Sequence, residues 1–502
     1  MIKSLTSLKY IGHTKNLSSF RTTKFYLSTK KLDFNPKICI VGSGPAALYT
    51  AQYLLKNLAS NNQVTIDVFE KLPVPFGLVR YGVAPDHQDV KNVIHSFTET
   101  LKNKNVNFFG NVNIGVDVKI SELLNSYNSV ILAYGSLGEN YLNIPGEKEF
   151  SNVISAKDIV SLYNGLPNSE NLKLDLSGNK AVIIGAGNVA IDIARILTSP
   201  VEKLAQTDIS NVALDLFKNK NKIEHVSIVA RRGVLNAAFT LKELRELTKL
   251  DSVECRIDLE NFTEVNIDNI LNKLARPRKR ITEFLYNLSK NSVKSKSKKV
   301  IELKFLRSPI EILGNSESVQ GVKFKVNKYN FDFSNLDNLY DSEERLNSIP
   351  VFEDKSKPNE VLQCDLLVKS IGYKNVSIDS EIPFDKKSGV VLNDKGKVIG
   401  KDGLYCTGWI KRGPRGVIVD TTSDAYETAQ KLFSDLTNDQ NSTQRPGAEK
   451  IVSLLKERSV RFVDKEGWDR IDKAEIERGK LNGKPREKFQ SIDEMLKVAL
   501  EN

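Results

Sequence analysis

Cysteine is scarce and scattered: four residues in 502, at Cys39, Cys255, Cys364 and Cys406. No Cys-x-x-Cys pair and no metal-ligand spacing occurs. A disulfide framework, a redox dithiol and an iron–sulfur site within the chain are therefore excluded. Long apolar runs are missing too, none approaching the roughly 20 residues of a membrane span. Acidic residues are absent from the first 32 positions, which carry Lys3, Lys9, Lys15, Arg21, Lys24, Lys30 and Lys31. Beyond them the formal charge of +11 falls to +4, so the basic excess belongs to one terminus and not to a nucleic-acid-binding surface. The internal basic run Ala275–Arg280 (ARPRKR) has no interleaved aromatics on which single-stranded bases could stack. No nucleic-acid partner is expected.

The acid-free terminus is rich in serine and threonine, and this composition predicts a mitochondrial transit peptide over residues 1–32. A second biased stretch, Ser289–Lys299 (SKNSVKSKSKK), reads as a solvated loop.

What the chain does contain is two glycine-rich loops about 140 residues apart, Gly42-Ser43-Gly44-Pro45-Ala46-Ala47 and Gly185-Ala186-Gly187-Asn188-Val189-Ala190. Each follows a short apolar run (Lys37–Val41; Ala181–Ile184) that reads as a buried parallel strand. Each opens a helical pattern (Pro45–Leu58; Val189–Leu197), and a second strand returns (Val64–Phe69; Val226–Val229). In such a turn the first glycine permits the sharp bend. The second lets a pyrophosphate approach the backbone, and the third position allows close helix–strand contact. The helix N-terminus supplies free N–H groups and partial positive charge for the phosphates. Two such units predict a protein that holds two dinucleotides at once.

The residues ending the second strands differ. Glu70 closes the first unit, where a carboxylate accepts hydrogen bonds from ribose hydroxyls and repels a 2′-phosphate, so this site suits FAD or NAD. Arg231 and Arg232 close the second, where guanidiniums make charge-assisted bonds to a 2′-phosphate, so that site suits NADP. A polar, helix-like insertion is expected over residues 199–222. Two late strands, Leu366–Gly372 and Gly403–Gly408, both end in glycine.

From about Pro36 to its C-terminus the chain resembles the mitochondrial NADPH–adrenodoxin (ferredoxin) reductases. The resemblance rests on Val74–His87 (VPFGLVRYGVAPDH), Gly185–Arg195 (GAGNVAIDIAR), Ala237–Arg245 (AAFTLKELR), Ala275–Arg280 (ARPRKR), Gly408–Ile418 (GWIKRGPRGVI) and Gly483–Lys488 (GKPREK). It implies an α/β flavoprotein of the glutathione-reductase-like type, with two Rossmann-like domains. An FAD domain over 33–139 and 372–502 would be interrupted by an NADP domain over 140–371. By motif matching, FAD would be held by Gly42, Gly44, Pro45, Ala46, Glu70, Leu78, Ile114, Trp409, Gly416, Val417 and Ile418. NADP would meet Gly185, Ala186, Gly187, Asn188, Val189, Arg231, Arg232, Glu243 and Gly416. His87 and Asp192 match a pair near the flavin and nicotinamide. Arg245, Arg276, Arg278, Lys279 and Arg280 match a docking surface for an acidic 2Fe–2S ferredoxin. No metal site is expected.

The resemblance further implies electron transfer from NADPH through FAD to that ferredoxin, supporting iron–sulfur cluster assembly or P450-type oxidation. It also implies a monomer of the mitochondrial matrix with at most peripheral contact with the inner membrane. The smaller subunits of glutamate-synthase-like complexes share the fold and both glycine motifs, but normally carry an N-terminal cysteine-rich region that this chain lacks. Three departures stand out: Ala47 for the usual third glycine, Arg415 for a small threonine, and Asp420 for a small hydroxylated residue.

Overall fold

The structure, a computed structural model, describes residues 34–58, 64–262, 265, 267–290, 298–315, 317–331, 333, 346, 348–416, 418–438 and 443–501. The expected transit peptide, most of the lysine-rich segment and Val417 lie outside the described residues.

The first apolar run folds as the strand Lys37–Val41, its last four residues buried. It pairs in parallel with Thr65–Phe69 on one side and Ser129–Leu132 on the other. Burial on both faces is what a near-continuous apolar strand needs, and parallel pairing with helices above and below supplies it. Seven strands complete this sheet, in the order Asn393–Asp394, Lys397–Val398, Leu404–Cys406, Ser129–Leu132, Lys37–Val41, Thr65–Phe69, Val106–Phe109. Leu404–Cys406 joins in parallel with Ser129–Leu132, so the late part of the chain completes a sheet begun at its start. The helix Pro45–Leu58 starts on proline, whose missing N–H costs nothing at a helix start. It packs on the long helix Ile418–Asn438, with Tyr53 and Tyr426 in ring contact at 5.1 Å.

A second sheet holds six strands, all parallel: Val153–Ser155, Leu366–Lys369, Lys180–Ile184, His225–Val229, Lys299–Lys304, Val253–Ile257. Its core is separate from that of the first sheet. The expected insertion is two helices, Val201–Leu204 and Asn211–Lys220. The chain passes between the two sheets twice, and the crossings pair as a short antiparallel ribbon, Gly138–Glu139 with Tyr373–Lys374.

One layer was not anticipated. Arg307–Gly314, Val319–Tyr329, Val351–Glu353 and Glu360–Gln363 form an antiparallel sheet beside the second core. Its central strand carries the alternation Val322-Lys323-Phe324-Lys325-Val326, the period of a half-buried strand, which was a readable signal. At the C-terminus, Lys465–Leu481 and Ile492–Leu500 bury Trp468, Ile471, Met495 and Leu496 against the first core. No described helix is long and apolar enough to cross a membrane.

Candidate functional site

The two glycine loops are built alike. Gly42 has φ +104°, and a Cβ there would lie 2.6 Å from the Ala133 carbonyl oxygen. Gly185 has φ +111°, and its Cβ would lie 2.1 Å from the Ser370 carbonyl oxygen. Each glycine is therefore obligatory, because it turns against the strand-to-ribbon crossing that leaves its own sheet. The N–H groups of Gly42 and Gly185 donate to Phe69 and Val229, at 2.7 and 2.8 Å, which ties each loop to its returning strand. The second glycines behave in the opposite way. A Cβ at Gly44 or at Gly187 would meet no protein atom within 4 Å. Both loops thus keep open space before the backbone of a helix start, in helices of 14 and 11 residues. Such a cradle fits a pyrophosphate.

Around the first loop the chain supplies further walls. Glu70 accepts from the Ser43 hydroxyl at 2.6 Å, from the Ser43 N–H at 3.0 Å and from the Leu72 N–H at 3.1 Å. Burial raises its pKa, against the lowering effect of these bonds. The segment before His87 folds over the loop: Phe76 donates its N–H to the Ser43 carbonyl at 3.1 Å, and a Cβ on Gly77 would sit 3.2 Å from Gly44 Cα. Phe76 holds φ +85°, costly for a bulky residue, and is fixed there by packing on Trp468 and Phe97. Leu78 is exposed in the next turn, while Ala46 and Ile114 are buried. The late glycine motif reaches the same place, because a Cβ on Gly408 would lie 2.5 Å from that of Ala46. Trp409 follows, its ring 5.3 Å from Tyr373 of the ribbon and its carbonyl bonded by Asn375. Pro45, Gly416 and Ile418 are each at least partly exposed. Sequence reasoning missed Ser43, Phe76 and Gly77, although all three stand in the quoted motifs.

At the second loop Asn188 accepts the Thr240 N–H at 2.8 Å, and Ala186 accepts that of Ala238. Ala186, Gly187, Asn188 and Val189 all remain partly exposed. The strand His225–Val229 ends in exposed Arg231 and half-buried Arg232. Their carbonyls are fixed by Asn327 and Leu306 respectively. Among the described residues neither guanidinium meets a protein partner, and two charges left free at one strand end favour an anion.

Between the loops lies a buried cluster. His87 Nε2 is 2.6 Å from Glu246 Oε2 and 3.6 Å from Glu243 Oε2, and its Nδ1 is 3.9 Å from Asp192 Oδ1. Arg195 pairs with both Asp192 and Asp86. Burial pushes the Glu243 carboxyl up to about 7, with Asp192 adding to the rise and His87 and Arg195 opposing it. Asp192 is also raised by burial. His87, Asp192 and Glu243 offer atoms within 4.8 Å of one another, but the Arg195 guanidinium already neutralises Asp192, which disfavours a metal cation.

The basic helix start divides. Arg276 and Arg280 are exposed, Lys279 is half-buried, and exposed Arg245 lies over the Phe284 ring of the same helix, Arg276–Lys290. Arg278, expected among the docking cations, is buried and donates to the Ala237 carbonyl. It faces inward because that carbonyl needs a donor and the helix presents only one of its first-turn cations toward it. At the other loop Arg415 is exposed, and its carbonyl accepts from Arg412.

Residues 36–268 match the family described as pyridine nucleotide-disulphide oxidoreductase. The chain is 41% identical to the mitochondrial NADPH:adrenodoxin oxidoreductase of Salvelinus fontinalis, over 95% of each chain. It is 42% identical to the mitochondrial protein of that name from Homo sapiens, over 92% of each. Its structure is similar to that of FprA from Mycobacterium tuberculosis in complex with NADPH, with a TM-score of 0.85 and 36% identity, covering 93% of this chain and all of that one.

Proposed function

The chain belongs to the NADPH:adrenodoxin oxidoreductase family, and from that premise we propose that it carries electrons from NADPH, through FAD, to an adrenodoxin-like ferredoxin. The observation that supports this best is the pair of matched cradles with opposite chemistry behind them, a carboxylate at Glu70 and free guanidiniums at Arg231 and Arg232. FAD would be held by Gly42, Gly44, Pro45, Ala46, Glu70, Leu78, Ile114, Trp409, Gly416, Val417 and Ile418. NADPH would be held by Gly185–Val189, Arg231, Arg232, Glu243 and Gly416. Together these cofactors supply hydride and single-electron chemistry.

The chain's own residues supply binding and exclusion. Backbone N–H groups of the helix starts that follow Gly44 and Gly187 meet pyrophosphates, Glu70 accepts from a ribose, and the arginines recognise the 2′-phosphate. The buried cluster of His87, Asp192 and Glu243 holds a proton on a carboxyl near neutrality. Hydride transfer itself needs no side-chain acid or base. Exposed Arg245, Arg276 and Arg280 form a patch that suits an acidic ferredoxin, since opposed charges steer encounter and fix orientation. We place the division into two units at the ribbon: 33–139 with 372–502 for FAD, and 140–371 for NADP. Relatives are named mitochondrial, and we propose a monomer of the matrix whose residues 1–32 are a transit peptide.

The test is the visible spectrum of protein starting at Pro36, before and after anaerobic NADPH. Flavin bands that bleach with NADPH, and much less readily with NADH, are the expected result. A colourless protein that cannot be reconstituted with FAD overturns the reading.

A further inference from the structure

The segment Asp86–Lys91 leaves the first unit and inserts into the second, and five of its six residues bond across. Asp86 pairs with Arg195, and His87 with Glu246. Gln88 donates to Asp208 at 2.8 Å, Asp89 meets Lys242 at 2.7 Å, and Lys91 meets Asp208 at 2.7 Å. A second segment of the first unit grips the same place. Lys488 lies 2.9 Å from Asp208, and Lys484 donates to the Ile209 carbonyl at 2.9 Å and to Asn211. Glu487 accepts the Asn211 N–H at 3.2 Å and pairs with Lys484. Asp208, Lys91 and Lys488 are all at least nine-tenths buried. One buried carboxylate of the second unit is therefore shared by two lysines from separate stretches of the first.

An apolar interface can slide by an ångström at small cost. A buried ionic one cannot, because a slipped arrangement leaves a desolvated charge without its partner, which is strongly destabilising. The join also lies beside the buried His87 cluster, which the reading above sets near the flavin and nicotinamide, because Lys91 sits one helical turn from His87. Hydride transfer demands reacting atoms held to within a few tenths of an ångström, and a misplacement of about 1 Å can cost a hundredfold in rate.

We propose that Asp208 is a positioning residue: it locks Asp86–Lys91 and Lys484–Lys488 to the second nucleotide-binding unit and so sets the alignment of the two dinucleotide sites. The inference rests on the functional reading given above. Neither glycine cradle contains any of these residues, so loss of the lock spares the affinity of each site and damages their alignment.

The experiment compares the parent with Asp208→Asn, Asp208→Glu and Lys488→Met. The last keeps the Lys91–Asp208 pair intact and guards against misfolding of the first. Amide hydrogen exchange over residues 86–92 and 205–211 is measured on the flavin-loaded protein without NADPH. Anaerobic stopped-flow then separates NADPH affinity from the limiting rate of flavin reduction. In Asp208→Asn, exchange in both segments should rise at least about tenfold and the limiting rate should fall about tenfold or more, with NADPH affinity within about twofold of the parent. Lys488→Met should show the same pattern more weakly, and Asp208→Glu should restore part of the rate. A limiting rate within about twofold of the parent in folded Asp208→Asn or Lys488→Met overturns the inference, as does a loss confined to affinity. A parent that fails to bleach with NADPH overturns the functional reading instead, a result that does not depend on the variants.

Discussion

At the residue scale, the arginines after the second cradle carry the proposed choice between NADPH and NADH. Charge-assisted bonds to a phosphate contribute roughly 1.5–3 kcal/mol each. Arg232→Ala should therefore weaken NADPH binding about tenfold or more and change NADH binding by less than about twofold, read by titrating flavin bleaching with each nucleotide. Equal losses with both would remove Arg232 from the 2′-phosphate site. Glu243 carries a second prediction. Its carboxyl titrates near 7 in the fold because it is buried beside Asp192. Below that pH it is neutral, and above it adds a negative charge to a site for an anion. NADPH affinity should thus fall relative to Glu243→Gln as pH rises from about 6 to about 8, while the variant shows no step from this group. The same shift lies above the unfolded value of about 4.3, so between about 4.3 and 7 the native state holds the extra proton and loses stability as pH rises. The positions of Gly42 and Gly44 in a turn, and of Glu70 and Arg232 after returning strands, were legible in the sequence because such features are set locally. The inward turn of Arg278 was not, since its partner Ala237 lies 41 residues away.

At the element scale, the helix Arg276–Lys290 separates two roles that its sequence runs together. Arg276 and Arg280 point outward, and Arg245 joins their face through Phe284. Reversing the charge of Arg276 and Arg280 should lower ferredoxin-dependent cytochrome c reduction about tenfold or more at low salt. The deficit should shrink in high salt, where screening weakens exposed charges. Reduction of ferricyanide by NADPH should stay within about twofold; a parallel loss would show damage to the flavin site. Arg278→Met should do the reverse, leaving a buried carbonyl short of a donor and lowering stability by about 1–3 kcal/mol, visible as a depressed Tm. Strands flanked by glycine loops were readable as elements because apolar runs of four or five residues before a turn have few other interpretations. The antiparallel sheet from Arg307 to Gln363 was missed because no glycine motif marks its strands, although the alternation within Val319–Tyr329 was readable.

At the scale of the whole molecule, the first unit is assembled from both ends of the chain, and the second is joined to it by a ribbon and the ion-paired segments around Asp208. The duplication of the glycine loop made two nucleotide-binding units legible, but nothing local could show how they meet, because Lys91, Asp208 and Lys488 are brought together from three distant stretches. That join has a thermodynamic consequence. A ligand that binds only the folded state stabilises it by about 2.7 kcal/mol at one hundred times its Kd. If the units melted independently, NADP⁺ would protect the second unit and leave flavin release from the first unchanged. With the buried lock in place the two should open together, so saturating NADP⁺ should raise the midpoint of thermal flavin release as much as that of overall unfolding. Flavin fluorescence and far-UV circular dichroism followed in one heating experiment give both midpoints. In Asp208→Asn the coupling should fail: NADP⁺ should still raise part of the circular-dichroism transition, while flavin release should move by less than about one degree. A flavin-release midpoint that ignores NADP⁺ in the parent would show that the units melt separately and that the contacts at Asp208 do not couple them.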